Sequence, residues 1–391
     1  MRPGTPGFVG ARLRAAREAR GIITASGLAE MIGVSRAAVS QYERGEQTPS
    51  PEILRVLSHV LNLPPQHFIK QQRSSEGVHF FRSLASATKS ARLRAHRKYE
   101  WLLDVVAFLR EYVEFPEVLF PSLGDDAKGP LGLSNEMIEE AATQLRRHWG
   151  LGDGPISNMA WLLENKGAIV SQLDFESEKL DAFSRWNPEQ QTPFIILGTE
   201  KGYAARSRFN AAHEVAHMVL HRHVTAKQFA SPSIFKELER QANRFAGAFL
   251  LPGNTFLNEL YNVTLDTLKS LKPRWKVSIA LMLKRAEDLG AIRESHAKSL
   301  WMNLARRGWK RKEPFDDSIP IELPRFLPRC FEMLIKEGIV RREELSHRLA
   351  LSSGDIEELA NLPDGCLQPL SPEQDIAAVT PKILKFPQAE W

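Results

Sequence analysis

Cysteine is nearly absent: the 391-residue chain holds only Cys330 and Cys366, and no C-x-x-C pair. A disulfide framework and a thiolate metal site are thereby excluded, and a reducing compartment is the natural setting. No run of about eighteen apolar residues occurs, and the N-terminal segment lacks a secretory apolar core. A soluble, cytoplasmic protein without membrane contact is the expectation. Charge of one sign is not in large excess either, with 52 Lys+Arg against 47 Asp+Glu and a net charge of +5. That balance permits nucleic-acid contact without demanding it. No internal period of about twenty to fifty residues stands out, so a repeat architecture is excluded. What is present, 43% hydrophobic and 25% charged residues, fits two or three folded units.

Four short helical patterns fill residues 8–70, and the polar stretch 71–77 reads as a linker. Residues 78–114 carry the pattern of a long, partly basic helix or helix pair. A Gly-, Pro- and Asp-rich loop (PSLGDDAKGPLG) follows, then helices over 134–148 and 157–166. Between 167 and 200, the runs GAIVSQLDF, DAFSRW and PFIILGTE predict three strands. Helical patterns return over 206–223, 234–250 and 275–289, the last stopped by Gly290, and again over 321–362. Residues 367–391 are proline-punctuated and expected to be loose.

In GLAEMIGVSRAAVSQYERG, Leu28, Ala29 and Ile32 form the apolar face of one short helix. Gly33 permits a tight turn, and Ser35 can cap the next helix. Val39 and Tyr42 then pack that second helix inward, which leaves Ser35, Arg36, Ala37, Ser40 and Gln41 on its exposed N-terminal side. Such a helix can enter the major groove of double-stranded DNA, with Arg36 toward guanine, Gln41 toward adenine and Ala37 toward a thymine methyl. Arg12, Arg14, Arg17 and Arg44 are candidates for phosphates, which supply affinity but no sequence choice. The competing reading is a small helical bundle used for protein contact. Over residues 12–61 the chain resembles the Xre/Cro-type helix-turn-helix repressor domain. The resemblance implies an operator-binding unit and, because related readers use paired half-sites, a homodimer.

His213-Glu214-Val215-Ala216-His217 is an HExxH pattern inside a helical stretch. Positions i and i+4 share one helix face, so both imidazoles can point at one tetrahedral ion, with Glu214 placed to take a proton from water there. A later helix carries Glu237, Glu239 and Asn243 ahead of AFLLP. These linked segments, Arg208–His221 and Glu239–Pro252, resemble the ImmA/IrrE family of zincin-like metallopeptidases, and the likeness extends over roughly residues 155–290. It implies Zn2+ held by His213, His217 and Glu239, an open fourth position, and Glu214 as general base. Asn243, one turn beyond Glu239, could accept the N–H of a ligand histidine. Glu237 is the alternative third ligand. His221 is assigned to the surface or to the support of the site, His223 to solvent, and both His221 and Tyr203 are weak candidates for protonating the leaving amine. The strands ahead of the motif could offer an edge to an extended substrate.

Two weaker features remain. Arg82, Lys89, Arg92, Arg94, Arg97 and Lys98 form either a surface for single-stranded nucleic acid acting as an activator or, the preferred reading, a solvated helix face with Phe80, Trp101 and Leu102 in a core. Residues 342–363 have the rhythm of a second helix-turn-helix, but its second helix is acidic, which favours packing or protein contact over DNA.

The expected fold is mostly α with a small α+β domain. It comprises a helix-turn-helix bundle (1–70), a partly basic helical linker region (71–150), a zincin-like domain with a short sheet (151–290) and a helical C-terminal region with a loose end (291–391). The expected function is a DNA-binding transcriptional regulator with a zinc-dependent endopeptidase domain. It would cleave a repressor-type protein or an antitoxin in response to stress, phage or toxin–antitoxin signals. The alternative is a non-catalytic regulator whose zincin-like domain senses a ligand or effector.

Overall fold

The computed structural model describes residues 4–70, 88–123, 132–177, 180–199, 202–368 and 384–385. The chain begins with α1 (Gly10–Ala19), α2 (Ala25–Ile32), α3 (Arg36–Arg44) and α4 (Pro51–Val60). Thr24, Ser35 and Ser50 cap α2, α3 and α4 by accepting the N–H groups of Gly27, Ala38 and Ile53. Gly33, at φ 69°, ends α2 in the left-handed conformation and turns the chain into α3. Gly10 answers a different need: a Cβ there would lie 2.1 Å from the carbonyl oxygen of Tyr42, so glycine lets α1 approach the end of α3.

Then come α5 (Lys89–Leu109), β1 (Val113–Glu114), α6 (Asn135–His148) and α7 (Met159–Asn165). The sheet strands are β2 (Ile169–Leu173), β3 (Ala182–Asn187) and β4 (Thr192–Gly198). Helices α8 (Ala204–Leu220), α9 (Ala226–Phe229), α10 (Pro232–Leu250), α11 (Gly253–Asn258), α12 (Leu265–Trp275), α13 (Ile279–Asp288) and α14 (Glu294–Arg306) follow. The described chain closes with α15 (Phe326–Lys336), α16 (Arg342–Leu349), α17 (Ser353–Ala360) and β5 (Leu384–Lys385), the last paired in parallel with β1.

The three expected strands form one sheet in the order β2-β4-β3, with β2 and β4 parallel and β3 antiparallel to β4. Successive side chains of a strand point to opposite faces, and here each face has its own core. Ile169, Leu173, Phe183, Phe194 and Ile196 join the core built by α1–α5 and α15–α17. Val170, Ala182, Ile195 and Leu197 join a second core with α6–α8, α10 and α12–α14. The N-terminal helices thus pack, through α5, behind the sheet whose other face carries α8.

Several expectations need correction. One helix was expected over 275–289. Instead α12 ends at Trp275, Lys276 turns left-handed at φ 53°, and α13 starts after the Ser278 cap. α12 and α14 were not foreseen; Pro273 lies inside α12. The 321–362 stretch is helical only from Phe326. The reading of 71–77 as a linker, the first part of the 78–114 helix with Phe80 and Arg82, most of the 121–132 loop and nearly all of 367–391 lie outside the described residues.

The basic stripe of α5 is largely consumed internally. Arg94 pairs with Glu176, Arg97 with Glu18 and Glu100, and Lys98 with Glu358, while Trp101 and Leu102 are buried. Helices α16 and α17 do form a helix-turn-helix, with Ala350 in the left-handed turn and Ser352 as cap. Their second helix is buried: Ile356, Leu359 and Ala360 lie in the core, and Asn361 bonds the backbone of Gln172 on β2. This pair is packing material. No helix among the described residues is long and apolar enough to cross a membrane.

Candidate metal centre and DNA-facing helix

α8 runs beneath the sheet with its buried face carrying His213, His217 and His221 at successive i, i+4 positions, and α10 packs alongside. Ring centroids along the row are 4.8 and 5.0 Å apart. Across from it, Glu239 and Asn243 lie one turn apart on α10. The Nε2 atoms of His213 and His217 are 3.1 Å apart, and Glu239 oxygens lie 3.6 and 3.4 Å from them. His213, His217 and Glu239 are thus gathered with ligand atoms all within 4.8 Å. Burial works to raise the pKa of Glu239, but the two imidazoles beside it outweigh that and hold the carboxyl well below the usual carboxylate range.

The donor set suits zinc. Zinc–nitrogen bonds of about 2.0–2.1 Å in a tetrahedron place neighbouring ligand atoms about 3.4 Å apart, close to the 3.1–3.6 Å seen. The far nitrogen of each histidine has its own partner. His213 Nδ1 is 3.2 Å from Asn243 Oδ1, and His217 Nδ1 is 2.9 Å from His221 Nδ1. Glu237 points away and bonds Arg240 and Gln241 instead.

Glu214 is buried, and its Oε2 accepts a 2.5 Å hydrogen bond from Ser184 on β3. His221 is only 1% exposed, and its Nε2 is 2.9 Å from Gln241 Oε1. Burial, followed by the neighbouring His217, pushes its pKa down to about 3, so it is neutral. A surface position for His221 is therefore corrected, and so is a donor role, because it sits against His217 Nδ1, on the opposite side of that ring from Glu239. His223 is exposed, near Ser122. Tyr203 precedes α8 and lines a cavity with Arg206 and Asn210.

Sequence reasoning missed Ser184 and Gln241, yet each carried a signal. Gln241 occupies the buried stripe of α10 with Leu238, Ala242 and Phe245, and a polar side chain in such a slot needs a partner. Ser184 shares the inward alternation of β3 with Ala182.

On the N-terminal helices, Ser35, Arg36 and Ala37 are exposed and Ser40 and Gln41 half-buried, while Val39 is in the core. The first turns of α3 face outward. Arg12 and Arg17 do not. Arg12 is buried against Asp104 of α5 at 3.1 Å, and Arg17 holds Glu43 at 2.5 and 3.0 Å while bonding the Ile22 carbonyl. Both are corrected from phosphate contacts to internal anchors. Arg14 and Arg44 remain outside, with side chains 61% and 59% exposed.

Two segments of the chain match families of known proteins. Residues 13–68 match the family described as helix-turn-helix, and residues 163–287 the family described as IrrE N-terminal-like domain. A stretch of 71 residues is 39% identical to Repressor protein C2 of Salmonella phage P22, covering 18% of this chain and 32% of that protein. The chain therefore spans about a third of the length of this relative.

Proposed function

Because the chain joins a helix-turn-helix domain to an IrrE-like domain of metallopeptidase type, we propose a transcriptional regulator that reads duplex DNA through α3 and carries a zinc-dependent endopeptidase. Its substrate is a repressor-type protein or an antitoxin, cleaved in response to stress, phage or toxin–antitoxin signals. One observation carries the enzymatic half: two imidazole nitrogens and a carboxylate converge in a buried triangle 3.1–3.6 Å on a side. Three electron-pair donors so close favour a shared cation.

His213, His217 and Glu239 hold the ion. Zinc bound there supplies Lewis acidity toward water and the scissile carbonyl. Glu214 is the general base that takes the proton of the attacking water, and Ser184 holds its carboxylate in place at 2.5 Å. Asn243 orients His213. The similarity to a repressor supports DNA binding at the other end of the chain, with Arg36, Ala37 and Gln41 reaching base edges and a homodimer spanning two half-sites.

Zinc-loaded wild-type protein and Glu214→Gln, incubated with a panel of repressor-type proteins, test the proposal. Wild type should cleave one of them, and Glu214→Gln should bind zinc and the same protein without cleaving it. Equal cleavage by both would remove Glu214 from the chemistry; zinc-loaded protein that cleaves none would favour the sensor.

A further inference from the structure

A neutral imidazole has a single ring lone pair, and it can offer that pair at Nε2 only when its proton sits on Nδ1. His213 has an ordinary acceptor for that proton in Asn243 Oδ1. His217 has an unusual neighbour instead, a second imidazole nitrogen, His221 Nδ1, at 2.9 Å. Two ring nitrogens at that distance share one proton. Which of them donates has to be decided elsewhere.

The decision can be followed inward from the surface. Arg240 donates to both oxygens of Glu237, at 2.9 and 2.7 Å. Glu237 Oε1 also accepts the Nε2 amide proton of Gln241 at 3.0 Å, as a carboxylate must. This fixes which end of the Gln241 amide faces inward: Oε1, 2.9 Å from His221 Nε2. An amide oxygen only accepts, so His221 carries its proton on Nε2 and presents a lone pair at Nδ1. His217 then donates from Nδ1, and its Nε2 lone pair is left facing His213 and Glu239. Each link is determined by the one outside it, and the inner links are sealed, with Gln241 0% and His221 1% exposed.

We infer that His221 and Gln241 are positioning residues of the metal centre, holding His217 in the tautomer and ring orientation that its Nε2 needs to bind the ion. The inference rests on the metal reading proposed above. Neither residue reaches the substrate side of the site, because both lie beyond the Nδ1 edge of His217. The expected signature is on metal affinity, where partners of ligand histidines typically contribute about 10–100-fold.

The test uses the full chain and zinc itself, with affinity read by competition against a chromophoric chelator. His221→Phe keeps a ring but removes the acceptor, and Gln241→Leu releases His221; each should weaken zinc binding about 10–100-fold. His221→Asn, whose Oδ1 falls near the original Nδ1, should recover part of the loss. Nitrogen-15 spectra of histidine-labelled wild type at alkaline pH provide a reading that needs no variant. They should place protons on His217 Nδ1 and His221 Nε2. Wild-type affinity in both His221→Phe and Gln241→Leu, or a proton on His221 Nδ1, would overturn the inference while leaving the metal reading intact. A wild-type chain that binds no zinc would sink both.

Discussion

The guanidinium of Arg20 meets the carboxylate of Asp355 in a two-pronged ion pair, with Nη1–Oδ1 at 2.6 Å and Nη2–Oδ2 at 2.7 Å, across 335 positions of sequence. Arg20 also donates to the carbonyls of Leu61 and Asn62, and it lies over Trp101 of α5. The N-terminal helix-turn-helix is thereby tied to the last of the described helices through one side chain. Asp355 is almost fully buried and Arg20 a quarter exposed, so removing the carboxylate strands a largely desolvated cation. Asp355→Ala should cost about 2–3 kcal/mol in urea unfolding, with the sequence preference of DNA binding unchanged. A loss near zero would mean that the pair is not formed in solution.

The outward turn of α3 and the inward turn of Arg12 and Arg17 give opposite expectations for DNA binding. Arg36→Ala and Gln41→Ala should each cost about 1–3 kcal/mol on the preferred site and relax the preference at one base pair. Arg14→Ala should weaken binding to all sequences and lower the salt slope by about one. Arg12→Ala and Arg17→Ala should lower the urea midpoint instead, because each removes a buried ion pair, with Asp104 or Glu43, that anchors α1. Quantitative footprinting at several salt concentrations checks the first three, and urea unfolding checks Arg12→Ala and Arg17→Ala. Unaltered preference in both Arg36→Ala and Gln41→Ala would refute the role given to α3.

What the sequence made legible was what is local. Caps at Thr24, Ser35 and Ser50, the left-handed Gly33 and the four-residue spacing of His213 and His217 are set by neighbours in the chain. Burial imposed from afar was not legible. Arg12 looks like any surface arginine until Asp104, 92 positions later, folds against it. His221 reads as a polar helix end until Gln241 of a different helix reaches it. The acidic second turn-helix was correctly separated from DNA by its charge, yet its true destination, beneath β2 and α5, depends on contacts with residues far upstream.

His67 makes stability depend on pH. Its ring is buried between Phe68 and Trp101, with Nδ1 at 2.9 Å from the Ala350 carbonyl oxygen. Burial, then the nearby Arg12 cation, pushes its pKa down from the usual 6.5 to about 4. The folded state thus keeps His67 neutral while the unfolded chain binds a proton near pH 6.5. The stability it contributes is present above that value and is lost as pH falls from about 6.5 to about 4, a total of about 3 kcal/mol. Unfolding free energies measured at steps through this window should fall less steeply for His67→Phe than for wild type. Parallel slopes for the two proteins would contradict the assignment.

The most direct test of the metal centre is zinc-edge X-ray absorption on the purified, zinc-loaded protein, with Glu239→Ala alongside. Wild type should hold one zinc with only nitrogen and oxygen neighbours at about 2.0–2.1 Å, two of them imidazoles, and Glu239→Ala should lose an oxygen neighbour together with much of its affinity. Sulfur scattering at about 2.3 Å, or an identical spectrum from Glu239→Ala, would place the ion elsewhere and contradict the account.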